Sequence, residues 1–167
     1  MTTRPTPART LSIRTEGLEA IATRTFDAPR AQVFAAWSEC ERLTHWWGPK
    51  DWTLPVCELD FRSGGSWFYC MRGPDGTDAC GRATYSEIVE PSRIVYTDAF
   101  ADRDGKLLPG MPEMVVTILF DEVDGKTVLT SRVKFASAAD LETVLATGME
   151  SGLTETWDRL EAYLAAS

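Results

Sequence analysis

The dipeptide Asp124-Gly125 lies between two alternating runs, Met114–Val123 and Lys126–Phe135, and it constrains this fold more tightly than any other feature. Asp-Gly is a two-residue type I′ hairpin signal, because both central residues must take positive φ. A turn there pairs Val123 with Lys126. Counting back, Phe120 faces Leu129, Ile118 faces Ser131, Val116 faces Val133 and Met114 faces Phe135. Those last eight residues share one face, and seven of them are apolar. The opposite face sets Thr117 against Arg132 and Val115 against Lys134. A one-residue slip would exchange the faces. The pattern therefore predicts a long antiparallel hairpin with one buried side.

The same logic covers the region before it. Pro74-Asp75-Gly76 reads as a three-residue loop with Gly in the left-handed position. It sets Arg72 across from Asp78, and Trp67, Tyr69 and Met71 across from Ala83, Gly81 and Ala79. Large residues thus face small ones, which leaves space over which the large ones can lean. Cys57, Leu59 and Phe61 alternate with Glu58, Asp60 and Arg62, as in a half-buried strand. Ser63-Gly64-Gly65 and Glu90-Pro91-Ser92 turn two further hairpins. The stretch 102–112 is a longer loop, of a length that is often functional or mobile.

Helices flank this β region. After a strand over 18–26, Asp27-Ala28-Pro29 opens a helix, with a capping residue ahead of Pro in the first turn. Val33, Phe34 and Trp37 follow at helical spacing. A second short helix, 39–46, carries Leu43 and leads into Trp46-Trp47, and Gly48-Pro49 stops it. Adjacent helical positions diverge by about 100°. One Trp should therefore pack inward, and Trp47 is the one expected to, with the other partly exposed. One long helix is expected over 138–165, with a stripe from Leu141 and Val144 through Gly148, Met149 and Gly152 to Trp157, Leu160 and Leu164. Each of those glycines costs a helix roughly 1 kcal/mol against Ala. Close packing on the sheet and space left for a ligand account for them equally well. Residues 1–16, rich in Thr, Pro and Arg, are expected to form a flexible N-terminal arm or a weak lead-in strand. Residues 17–167 would then be a single domain.

A net charge of −8 argues against nucleic acid and anionic membranes as partners. No apolar run is long enough to span a bilayer, and the first residues lack the apolar core of a signal peptide, so the expected location is cytoplasmic. Cys40, Cys57, Cys70 and Cys80 have no C-x-x-C spacing, and one histidine cannot complete a zinc set. They are expected to be reduced, buried thiols. Cys70 falls opposite Cys80 in the hairpin register, but a cytoplasmic chain disfavours the bond. Nothing in the pattern asks for a metal or cofactor. An exposed edge strand or the arm would offer a surface for a homodimer.

Catalytic signatures are absent. His45, the only histidine, has no G-x-S-x-G partner and reads as a surface residue. Asp98 is in phase with Ile94, Tyr96 and Phe100, and a carboxylate buried there would have a raised pKa. A bulge or edge that leaves it in water is the favoured reading.

Strand, two short helices, an antiparallel sheet and a closing helix make an α+β arrangement. The motifs run in a recognisable order: Phe26-Asp27-Ala28-Pro29 with Val33, Phe34 and Trp37; Trp46-Trp47-Gly48-Pro49; Asp60-Phe61-Arg62-Ser63-Gly64-Gly65; Gly73-Pro74-Asp75-Gly76; Glu87-Ile88-Val89-Glu90-Pro91 with Arg93-Ile94-Val95-Tyr96-Thr97; and Gly148-Met149-Glu150-Ser151-Gly152 with Trp157 and Leu160. Together they resemble the SRPBCC (START-like, helix-grip) superfamily, and within it proteins similar to the C-terminal domain of the heat-shock protein ATPase activator. The resemblance implies a curved sheet of six to seven strands wrapped around the C-terminal helix, with a cavity between them. Relatives bind lipids, hormones or polyketides, and some catalyse cyclisation or hydrolysis.

The expected function is therefore binding of a small hydrophobic or aromatic ligand. Trp37, Trp47, Trp67, Tyr69, Met71, Tyr85, Tyr96, Met114, Val116, Met149, Leu153 and Trp157 are the expected contacts, since pockets are mostly apolar and aromatic with few polar groups. Buried Tyr hydroxyls and Trp N–H groups want partners, which suits an amphipathic molecule. The competing expectations are a cyclase or hydrolase that uses a cavity carboxylate and tyrosines, and a protein-interaction module like the chaperone activator.

Overall fold

The computed structural model describes residues 11–166. Eight strands form one antiparallel sheet: β1 (Ser12–Glu16), β2 (Glu19–Phe26), β3 (Thr53–Leu59), β4 (Ser66–Arg72), β5 (Asp78–Val89), β6 (Arg93–Ala101), β7 (Glu113–Val123) and β8 (Lys126–Phe135). Their spatial order is β1-β2-β8-β7-β6-β5-β4-β3. Helices α1 (Arg30–Ala35) and α2 (Cys40–Leu43) connect β2 to β3, the strand at the opposite edge. This connection places the Thr44–Pro49 turn where it can wall off the inner face. Helices α3 (Ala138–Ala146) and α4 (Met149–Ala166) follow β8.

The hairpin registers agree with the sequence reading. Met114 pairs with Phe135 and Val123 with Lys126, around Asp124 and Gly125 at φ of 53° and 77°. Tyr69 pairs with Gly81, and Arg72 pairs with Asp78. The strand count exceeds six to seven because Ser12–Glu16, expected within the arm, pairs with β2 across a turn at Gly17. The first ten residues of the expected arm lie outside the described residues.

The expected long helix over 138–165 is two helices. Gly148, at φ of +87°, sits in the left-handed region and ends the first of them. Apolar spacing continues across the break because both helices bury the same side. Trp157 and Leu160 of α4 are fully buried, and Trp157 meets Phe26 edge-to-face at 5.9 Å. At one end of the core Phe34 of α1 packs between Phe61 and Phe120, at 5.8 and 5.2 Å.

The expectation of reduced thiols is overturned. Cys70 is bonded to Cys80 across β4 and β5, and Cys40 is bonded to Cys57. The second pair depends on α2 packing against β3, with 5.8 Å between the Cα atoms, and no sequence spacing signals that contact. It ties α2, and with it the Trp46-Trp47 turn, to the sheet edge. Replacing Cys40 and Cys57 together by Ser is expected to lower unfolding stability by about 3 kcal/mol, from the loop entropy returned to the unfolded chain. Urea unfolding measures this, and an unchanged midpoint would show that the bond does not constrain the chain.

Candidate ligand-binding site

A cavity of about 450 Å³ lies between the inner face of the sheet and the C-terminal helices. Its floor is Tyr96 of β6, Met114, Val116 and Ile118 of β7, and Ser131 and Val133 of β8. Val144 of α3 and Met149, Gly152, Leu153, Thr156 and Trp157 of α4 form the opposite wall. Trp37, Trp47, Gly48 and Pro49 close one side, and Met71, Ala79 and Asp98 lie at the β4–β6 end.

Nine of the twelve expected contact residues line this cavity: Trp37, Trp47, Met71, Tyr96, Met114, Val116, Met149, Leu153 and Trp157. Trp67, Tyr69 and Tyr85 stand behind it. Trp67 supports Trp47, with ring centroids 4.7 Å apart, and Tyr85 supports Tyr96 at 5.9 Å. Tyr69 borders an adjoining hollow of about 70 Å³ together with Met71, Gly81 and Asp98. Alternation identifies the inner face of a strand, but it does not say how deep along that face the helix packs.

The two tryptophans of the α2–β3 turn exchange the exposures expected of them, Trp47 being the half-buried one. Trp47 faces the cavity as expected. Trp46, expected to be partly exposed, is fully buried, and its indole N–H donates to the Ala36 carbonyl at 3.1 Å. The turn curls back over α1, so both rings find protein. His45 is exposed and stacks on Tyr163 at 5.3 Å. Arg159 of α4 holds the turn in place. Its Nη1 donates to the carbonyls of Gly48 (2.8 Å), Pro49 (3.2 Å) and Trp47 (3.4 Å), and its Nη2 donates to that of His45 (3.4 Å). Desolvation lowers the pKa of this guanidinium, and the Asp51 carboxylate opposes the shift.

Gly152 resolves one of the two open glycine questions. A Cβ there would find only Pro49 Cγ, at 3.9 Å. Close packing does not require the glycine, and its missing side chain leaves cavity space. Gly81 is the converse case. A Cβ there would meet the Tyr69 hydroxyl and lie 2.6 Å from Tyr69 Cζ. Glycine at this position is what lets the Tyr69 ring lie flat across β5 and reach Asp98.

Asp98 corrects the sequence reading. It belongs to a central strand, paired on both sides, with Ala83 of β5 and Met114 of β7. No edge or bulge turns it outward; the bulge in this region lies in β5, between Tyr85 and Glu87. The Tyr69 hydroxyl donates to its Oδ2 at 3.2 Å and to its Oδ1 at 3.4 Å. Burial pushes the Asp98 carboxyl up to about 7, against the opposing pull of the Tyr69 hydroxyl and the Ala99 N–H. Burial and the nearby Asp98 charge also raise the pKa values of Tyr69, Tyr85 and Tyr96, so all three stay neutral. Ser131, on the floor, is 5% exposed and makes no side-chain hydrogen bond among the described residues. Among the described residues, no group of three His, Cys, Asp or Glu residues suited to a metal ion occurs, and no helix is long and apolar enough to cross a membrane.

A curled antiparallel sheet gripping a C-terminal helix, with a cavity between the two, defines the helix-grip class. The chain belongs to the Activator of Hsp90 ATPase homolog 1-like family, whose model matches residues 27–165. Among solved structures it is similar to protein Ms6760 from Mycobacterium smegmatis, with 29% identity, a TM-score of 0.87, and 94% of this chain and 98% of that one covered. It is also similar to a protein from Staphylococcus epidermidis, with 33% identity, a TM-score of 0.82, and coverage of 93% and 94%. An Arthrobacter aurescens protein matches at 29% identity with a TM-score of 0.85, over 93% of this chain and 92% of that one. No curated protein matches.

Proposed function

We propose that this protein binds one small hydrophobic or amphipathic molecule in the cavity between the sheet and α4. The observation that carries this reading is the cavity itself, about 450 Å³ with mostly apolar and aromatic walls. That volume falls in the range of roughly 300–1,000 Å³ usual for small-molecule sites. Gly152 supports the reading, since a side chain there would occupy the same space. The nine lining residues expected from the sequence act as the apolar contacts. Trp67, Tyr69 and Tyr85 support them from behind.

A library of hydrophobic compounds tests it. A ligand should quench the fluorescence of Trp37, Trp47 and Trp157 and raise the melting temperature. Gly152→Leu should abolish both responses while the variant stays folded, because its side chain projects into the cavity. Binding that survives Gly152→Leu would place the ligand elsewhere.

A second reading, catalysis of the cyclase or hydrolase kind, is favoured by one observation. Asp98 is held near neutrality beside a tyrosine hydroxyl, as a general acid–base would be. Asp98→Asn would then remove turnover of a bound substrate without weakening its binding.

A further inference from the structure

We propose that the cavity selects a hydrophobic amine, whose apolar body packs on the aromatic walls and whose protonated nitrogen pairs with the Asp98 carboxylate. This inference rests on the reading of the cavity as a ligand site and specifies the chemistry of the ligand.

Among the described residues, Asp98 is the only charged one in the cavity lining, which contains no Lys, Arg or His. An anionic head group would find no positive partner there and would meet a like charge. The carboxylate is also under-used. A charge-assisted O–H···O⁻ bond is usually about 2.5–2.7 Å, whereas the Tyr69 hydroxyl stands 3.2 and 3.4 Å from the two oxygens. A carboxylate offers about four acceptor sites, so room for a strong donor remains. The walls suit a cation as well. Trp37, Trp47, Tyr96 and Trp157 line the same space, and aromatic faces attract ammonium groups most strongly when water is excluded.

The Tyr69 hydroxyl and the Ala99 N–H donate to Asp98, but the side chains that face it supply no counter-charge. Tyr69 comes from β4, Tyr85 from β5 and Tyr96 from β6 itself, and all three stay neutral. Its partner across β7 is Met114. Burial without a counter-charge holds the Asp98 carboxyl at about 7. An ammonium group would supply that counter-charge and draw Asp98 into its ionised form.

Three isosteric probes test the proposal by calorimetry on the intact protein: naphthylmethylamine, naphthylmethanol and naphthoate. The amine should bind at least about tenfold more tightly than the alcohol, with naphthoate weakest. Asp98→Asn should remove the preference for the amine while the alcohol still binds. In the wild type, amine affinity should weaken as the pH falls from about 8 to about 5, while alcohol affinity changes little. If the alcohol or naphthoate matches the amine in the wild type, or Asp98→Asn keeps the preference, the amine assignment is wrong and the cavity reading stands. If none of the three binds, both fall. The comparison among probes uses the wild-type protein, so it does not depend on how any variant folds.

Discussion

Asp98→Asn is expected to make the ligand-free protein more stable near pH 8, and to remove a decline in stability between about pH 4 and about pH 7. The folded-state pKa of Asp98 is raised to about 7 by burial, while an aspartate in the unfolded chain titrates near 3.9. Between those values the folded protein holds a proton that the unfolded chain has released. Stability therefore falls as pH rises through that window. Below it both states are protonated and Asp98 contributes nothing. Above it the full cost of burying the charge is present, of the order of 4 kcal/mol. Asn keeps the shape and still accepts the Tyr69 hydroxyl, but it carries no charge. Glu19, Asp75 and Asp78 have lowered pKa values and act in the opposite sense at lower pH. The difference between wild type and variant cancels them. Urea unfolding of both proteins at several pH values is the measurement. Parallel profiles would show that Asp98 ionises freely. The same substitution should weaken amine binding, so stability and recognition would move in opposite directions.

The second large effect concerns Arg24. This residue lies on the inner face of β2 and is 3% exposed. Its Nη1 donates to Asp158 Oδ1 at 2.7 Å and its Nη2 to Glu161 Oε2 at 3.1 Å, both on α4. The guanidinium also lies over the Phe26 ring, 5.2 Å from its centroid. The carboxylates are far wetter than their partner, at 61% and 36% side-chain exposure. Removing both, as Asp158→Ala with Glu161→Ala, would leave a buried cation without a counter-charge and should cost about 3–5 kcal/mol. Either single change leaves one partner in place and should cost much less. Adding Arg24→Met to the double variant removes the stranded charge and should restore most of the loss. Chemical denaturation of the wild type and these four variants tests this. A double variant within about 1 kcal/mol of wild type would mean that water solvates Arg24 in its place.

The two carboxylates of that pair are unremarkable in the sequence, and so is Arg24, a single cation in an otherwise apolar alternation. Asp98 was legible as far as its phase with Ile94, Tyr96 and Phe100. Its half-buried place in the middle of the sheet was not, because the phase of a strand gives the face but not whether the strand is central. The break at Gly148 was hidden for a related reason. Apolar spacing persists through it, and only the backbone turn marks the end of α3. Of the expected contacts, Trp67, Tyr69 and Tyr85 share the inner face but stand behind the cavity wall, a depth that alternation does not encode.

What the sequence by itself determined is therefore local pairing. Asp124-Gly125 and Pro74-Asp75-Gly76 set the registers of their hairpins, because a tight turn leaves the flanking strands one way to keep their apolar faces together. Only the tertiary structure decided which inner-face residues meet empty space. That depends on where α4 stops short of the sheet and on how Arg159 holds the Trp47 turn across the gap. It also depends on the contact of α2 with β3 that joins Cys40 to Cys57. These are contacts between elements far apart in the chain, which no short-range periodicity encodes.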